Sequence, residues 1–303
     1  MVHPRLPERA SVKFPTLLLA QLLLSAGLAA GIHAADPGTG ASFTGPLGLQ
    51  LYSLRAEFAK DGVAATLDKV KGWGIKHVEL AGTYNLPIPE YRKMLDDRGL
   101  VPVSAHFPYK RWQTEPDVVA QEAKALGLPY AGCAWIDHKA PYDDEQCRAT
   151  VEVFNKAGDA LNKVGIKFFY HLHGFEFQPL PSGNTVADLL ITRTNPATVF
   201  FQMDVLWIVF PGQDPVKLLD TYGKRWVSMH LKDLKKGVET GSLSGKTDVK
   251  NNVVLGTGQM EWPKILAAAK RAGLAYYFIE DESPDAAAQI PQSMKYLEGV
   301  TFE

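Results

Sequence analysis

Cysteine is scarce: Cys133 and Cys147 are the only two in 303 residues. Their spacing matches no metal-binding or redox motif, which excludes a disulfide framework, a zinc finger and an iron–sulfur protein. Two packed free thiols are expected, although an oxidising compartment would let them pair. Charge of one sign is lacking too. Lys and Arg number 32 against 33 Asp and Glu, a net −1 with the signs interspersed. Nucleic acid, or a membrane surface held by bulk charge, is excluded as a partner on that ground. No Gly-rich turn follows the first strand-like run, so a dinucleotide fingerprint is missing, and Gly256-Thr257-Gly258 is too short for a phosphate loop. Of eight histidines, His3 and His33 precede residue 35, which leaves six for the body of the chain.

Long apolar runs are confined to the N-terminus. Arg5, Arg9 and Lys13 precede an apolar stretch from Phe14 to Ile32, and Ala34 offers a small residue at a cleavage point. Residues 1–34 read as a secretory signal peptide, with an exported, periplasmic destination and no membrane contact after cleavage. An uncleaved anchor is the alternative, because the run is nearly long enough to span a bilayer. No Cys follows it, so a lipoprotein anchor has no attachment point. Residues 35–45, rich in Gly, Ser and Pro, read as a linker, and 46–303 as one folded domain.

That domain alternates between two periodicities. Strand-like runs fall at 47–52, 76–80, 101–106, 129–135, 166–173, 198–204, 226–232 and 275–281, with apolar residues at helical spacing between them, such as Val63, Leu67 and Val70. Gly74, Gly99, Gly127, Gly165 and Gly273 stand just before strands, where glycine accepts the left-handed backbone that closes a helix. Eight strands and eight helical segments over this length predict a closed (β/α)8 TIM barrel, with its site at the C-terminal strand ends. An open doubly wound sheet is the competing arrangement.

The strand ends carry the polar residues. Phe168 to Phe177 opens as a buried strand and sets His171 and His173 on one side of the pleat, with Glu176 three residues on. Later strands end in Asp204, His230 and Glu280, and the remaining ends supply Tyr52, Glu79, His106, Trp135, Lys232 and Glu282. Imidazole and carboxylate donors together suit one divalent ion: Mn, Co, Zn, Mg or Fe. His171, Asp204, His230 and Glu280 are the expected ligands, with His173 competing for the first place. Each has a plainer reading: a lone strand His is usually a hydrogen-bonded core residue, Asp204 could cap a turn, and Glu280 or Glu282 could pair with Lys232. Aromatic residues near the expected mouth, Tyr52, Phe107, Tyr109, Trp112, Trp135 and Trp207, could stack on a sugar ring or simply cover the core.

The segments 170–177 (YHLHGFEF), 203–207 (MDVLW), 230–233 (HLKD), 255–262 (LGTGQMEW) and 278–282 (FIEDE) together resemble the xylose-isomerase-like barrel superfamily of sugar phosphate isomerases and epimerases. So do 48–55 (GLQLYSLR) and 78–82 (VELAG). The resemblance implies a metal-dependent sugar isomerase or epimerase that abstracts a proton next to a carbonyl and passes through a stabilised enediolate. Base candidates are Glu176, His173, His106 and Glu280, and Lys232 is placed to share oxyanion charge. Tyr52, Glu79, Trp135, Trp207 and Glu282 are expected to contact substrate, a small sugar or keto-glycoside. Many epimerases of this superfamily carry Glu where His171 stands, so their two-glutamate scheme does not transfer directly. A 3-keto-glycoside lyase or 3-keto-glycal hydratase is the alternative, and a non-catalytic sugar-binding barrel the second. A nuclease on the same barrel would need more metal ligands and a basic groove. Homo-oligomerisation is left open.

Overall fold

The computed structural model describes residues 36–303, so the signal peptide expected at 1–34 lies outside the described residues. Eight parallel strands form the barrel: β1 (Leu47–Gln50), β2 (His77–Leu80), β3 (Val101–Ala105), β4 (Tyr130–Cys133), β5 (Lys167–His171), β6 (Val199–Asp204), β7 (Trp226–Leu231) and β8 (Tyr276–Ile279). Neighbours pair in chain order from β4 round to β8, then β1, β2 and β3. The seam between β3 and β4 is closed by a bridge of His106 with Gly132, where Phe107 N donates to Gly132 O at 2.8 Å. The (β/α)8 expectation therefore holds, and all eight strands fall within the runs read from the sequence.

Each strand is followed by helix. Several connections carry more than one piece, among them Tyr109–Thr114 with Pro116–Ala125, Val205–Val209 with Pro215–Tyr222, and Arg55–Gly72, which is kinked at Gly62. Pro116 and Pro215 each sit in the first turn of the second piece, where a missing N–H costs nothing. The five glycines expected to close helices all have positive φ, between 68° and 79°. Among the described residues no helix is long and apolar enough to cross a membrane.

Aromatic rings plug the barrel below the site. Phe169 and Phe278 are fully buried and point inward, one beneath His106 and the other beneath His230, with ring centroids 5.3 and 6.2 Å away. Glycine makes room for them. A Cβ on Gly132 would come within 2.7 Å of the Phe169 ring, and one on Gly48 within 2.7 Å of the Phe278 ring. The barrel is filled by apolar rings beneath the site, so a polar group above them must find its partners within its own layer.

Residues 36–45, expected to be a linker, lie against the barrel instead. Phe43 is buried edge-on against Tyr277 at 5.1 Å, and Gly38 N donates to Glu298 Oε1 at 3.0 Å. The apolar Phe43 inside the Gly-Ser-rich stretch is the physical reason. Cys133 and Cys147 are buried free thiols, as expected.

Candidate metal and substrate site

Four strand ends converge. His171 closes β5, Asp204 closes β6, His230 stands one residue from the end of β7, and Glu280 follows β8 directly. One donor-type atom from each lies within 4.8 Å of all the others. His171 Nε2 and His230 Nδ1 are each 3.8 Å from Asp204 Oδ2, and His230 Nδ1 is 3.0 Å from Glu280 Oε2. The four residues expected from the sequence are thus brought together. Asp204 caps a turn, as one reading had it, and still presents an oxygen to the cluster. Its Oδ1 accepts from Trp207 N at 3.2 Å, capping the short helix Val205–Val209, while the fully buried Oδ2 has no hydrogen-bond partner. Lys232 Nζ stands 3.7 Å from Oδ2, beyond hydrogen-bond reach; a buried carboxylate oxygen without a donor is costly, and a bound metal ion would remove that cost.

The layer beneath orients these groups. Gln202 donates through Nε2 to Glu79 Oε2 at 2.7 Å and to Ser228 Oγ at 3.0 Å. Its Oε1 must then accept, and it receives His171 Nδ1 at 2.8 Å and His106 Nε2 at 3.0 Å. With the proton on Nδ1, His171 turns the lone pair of Nε2 toward Asp204. His230 is held the same way through its other nitrogen, Nε2, at 2.6 Å from Glu79 Oε1, which leaves Nδ1 for the centre. Imidazoles fixed by a carboxylate or amide behind them are the usual support of a metal ligand set. These donors and tautomers fit a divalent cation.

Glu79, expected to contact substrate, lies beneath the cavity over the quartet and lines no part of it. It is fully buried and accepts from Gln50 Nε2 at 2.5 Å, Ser104 Oγ at 2.6 Å and Gln202. Burial alone would raise its pKa, but His106 and His230 outweigh that and hold it at about 2. Glu176 is also displaced from the expected role. Gly174, at φ 93°, turns the chain into a one-turn 3-10 helix, which sends the fully buried carboxylate back to accept from Tyr170 Oη and from His173 N at 3.1 Å. Burial raises its pKa to about 7, with Tyr170 opposing, yet it lines no part of the cavity over the quartet.

That cavity, about 320 Å3, is lined by Gln50, Tyr52, His106, Trp135, His171, His173, His230, Glu280 and Glu282 among others. His173 Nδ1 is buried and without a partner. Burial, then the positive charge of Lys232, lowers its pKa to about 3, so the ring is neutral. Burial likewise lowers His171, well below the ordinary imidazole range. Lys232 is buried, 3.1 Å from Glu280 Oε2 and bonded to Glu282. Burial opposes its charge, but Glu280, Asp204 and Glu282 push its pKa well up. Glu280 moves the other way: burial opposes ionisation, but Lys232 and His230 hold it well below the carboxylate range. Tyr52 and Trp135 stand exposed at the mouth, whereas Tyr109 and Trp112 are core residues, Trp112 Nε1 donating to Gly132 O at 3.1 Å. Gln202, Ser104 and Ser228 form the support that pattern reading assigned no role.

The chain and its fold have relatives. Inosose dehydratase of Clostridium beijerinckii is 26% identical over 188 residues, covering 54% of this chain and 61% of that protein. The chain thus spans about six tenths of that relative's length. Inosose dehydratase of Clostridium perfringens is 25% identical over 261 residues, 75% of this chain and 86% of that one. Among solved structures, a sugar phosphate isomerase/epimerase from Parabacteroides distasonis superposes with a TM-score of 0.72 at 26% identity, covering 84% of this chain and 98% of its own. The family model of the xylose isomerase-like TIM barrel matches residues 67–300, and the chain belongs to that family.

Proposed function

We propose that the protein is a divalent-metal-dependent enzyme that removes a proton beside the carbonyl of a keto-sugar or keto-polyol and then expels an oxygen substituent, as a lyase or dehydratase. One observation carries this reading: the bases around the cavity are unequally committed. His173 Nδ1 has no partner, while Glu280 and Glu282 are both tied to Lys232. Epimerisation by two bases needs a free base on each face of the substrate, and here the two cavity imidazoles outside the quartet, His173 and the Gln202-bound His106, both stand next to His171. The inosose dehydratases among the relatives support the same direction.

His171, Asp204, His230 and Glu280 would hold the cation, which supplies Lewis-acid polarisation of the carbonyl. His173 accepts the proton from the neighbouring carbon, its basicity rising as negative charge develops nearby. His173 then gives that proton to the departing oxygen, which leaves as water or alcohol, while His106, anchored through Nε2 to Gln202, faces the same cavity and accepts from a substrate hydroxyl. Lys232 keeps Glu280 ionised and offsets charge gathering on the substrate. Tyr52 and Trp135 cover the sugar from the mouth. Export, expected from residues 1–34, would favour an unphosphorylated substrate. The isomerase or epimerase outcome shares the first proton transfer and differs only in the second step, where a proton is returned to carbon and no oxygen leaves.

Incubation with keto-sugars in D2O, with Mn, Co, Zn, Mg or Fe supplied, tests this. Proton NMR should show deuterium at the carbon beside the carbonyl and loss of water or alcohol. Exchange without loss would favour the isomerase, and no exchange over the whole panel would leave a sugar-binding barrel.

A further inference from the structure

The cavity over the quartet opens into a second, larger one. The outer chamber holds about 640 Å3 against about 320 Å3 inside, and Trp135, His173 and Glu282 line both. The two chambers adjoin at these three residues. Small-molecule sites run from roughly 300 to 1,000 Å3, so the inner chamber alone is at the small end of that range. It suits a single sugar unit, and the outer chamber lies beyond that unit's reach.

The outer wall carries its own recognition chemistry. Trp207 is 6% exposed, yet its indole Nε1–H has no acceptor in the protein. Buried N–H donors are nearly always paired, so this one points to a ligand oxygen. Among the described residues five large apolar side chains are exposed, and three of them, Tyr52, Trp135 and Val249, surround the joint mouth. Gly245 brings the loop that carries Val249 down onto this wall. A Cβ there would lie 3.4 Å from the Trp135 ring and 3.2 Å from Phe175, and the backbone has φ 62°. Indole faces beside a free N–H match the two aspects of a sugar ring, its apolar C–H face and its hydroxyl edge.

We infer that the outer chamber is a subsite for a second sugar ring, so that the ligand is a two-ring saccharide. Its first ring sits over the quartet, and its second lies against Trp135 with an oxygen accepting from Trp207 Nε1. The inference rests on the proposed function only for the identity of the first ring.

Calorimetric titration of the wild type compares D-fructose with its glucosides turanose, isomaltulose and leucrose. At least one disaccharide should bind about tenfold more tightly than fructose. Val249→Trp, which fills the outer chamber, should abolish that advantage and leave fructose affinity within about twofold. Trp207→Phe keeps the ring but removes the donor, and should weaken the disaccharide alone by about 3- to 10-fold, which stands as evidence even if Val249→Trp fails to fold. Equal binding of fructose and every disaccharide, no binding of any up to about 10 mM, or parallel losses for both classes in the variants would overturn the subsite. Deuterium exchange reports the other question: the proton-transfer reading can fail while the affinity difference stands, and the reverse.

Discussion

His230 lies between two carboxylates, with Nε2 at 2.6 Å from Glu79 Oε1 and Nδ1 at 3.0 Å from Glu280 Oε2. Burial opposes a charge on the ring, but Glu79 and Glu280 outweigh it and hold the pKa well above the imidazole range. In metal-free protein near neutral pH, Nδ1 therefore carries a proton. A cation bound by the quartet must displace it, so its affinity should rise with pH by about tenfold per unit below that pKa and level off above it. Titrations in buffers of different ionisation heat should show one proton released per ion. No release would mean that His230 is not a ligand.

Glu79 anchors the layer beneath the quartet, and its removal should be felt in two ways. Glu79→Gln should lower metal affinity by about 10- to 100-fold, since it loosens His230 while leaving all four ligands in place. Glu79→Ala leaves His230, Gln50, Ser104 and Gln202 without their acceptor and should cost roughly 3–5 kcal/mol of stability in urea unfolding. The depressed pKa gives the sign with pH. The wild-type advantage is present above the unfolded-state value of about 4.3 and is lost as pH falls toward 2. The wild-type and Glu79→Gln acid-unfolding curves should converge in that window.

His173→Gln should lower kcat by about 10²- to 10⁴-fold while leaving bound metal unchanged, because the side chain stands outside the quartet. Loss of metal in this variant would make His173 a ligand, the place in which it competes with His171 on sequence grounds.

Much of this was legible in the chain. Strand ends show where apolar alternation gives way to His, Asp or Glu, and a barrel gathers such ends at one rim, which is why His171, Asp204, His230 and Glu280 could be picked from sequence. Depth inside the barrel is not legible in the same way. Glu79 lies where the pairing of β2 with β3 shifts register between Val78 and Glu79, and that shift, like the tilt of the strands, depends on neighbours distant in sequence. Glu176 misleads for a local reason: Gly174 reverses the chain before the carboxylate is reached, so spacing along the sequence no longer reports the face. Gln202 reads as an ordinary polar strand residue until its four partners, Glu79, Ser228, His171 and His106, are known. Phe43 shows the converse, one apolar residue in a Gly-Ser-rich stretch being enough to seat it on the barrel.

Metal content of the purified protein after dialysis tests the central claim most directly. Elemental analysis should find about one divalent ion per chain in the wild type, and Asp204→Ala and Glu280→Ala should each lose most of it, because each removes a charged donor from a four-donor set. Unchanged metal content in both variants would contradict the site as described.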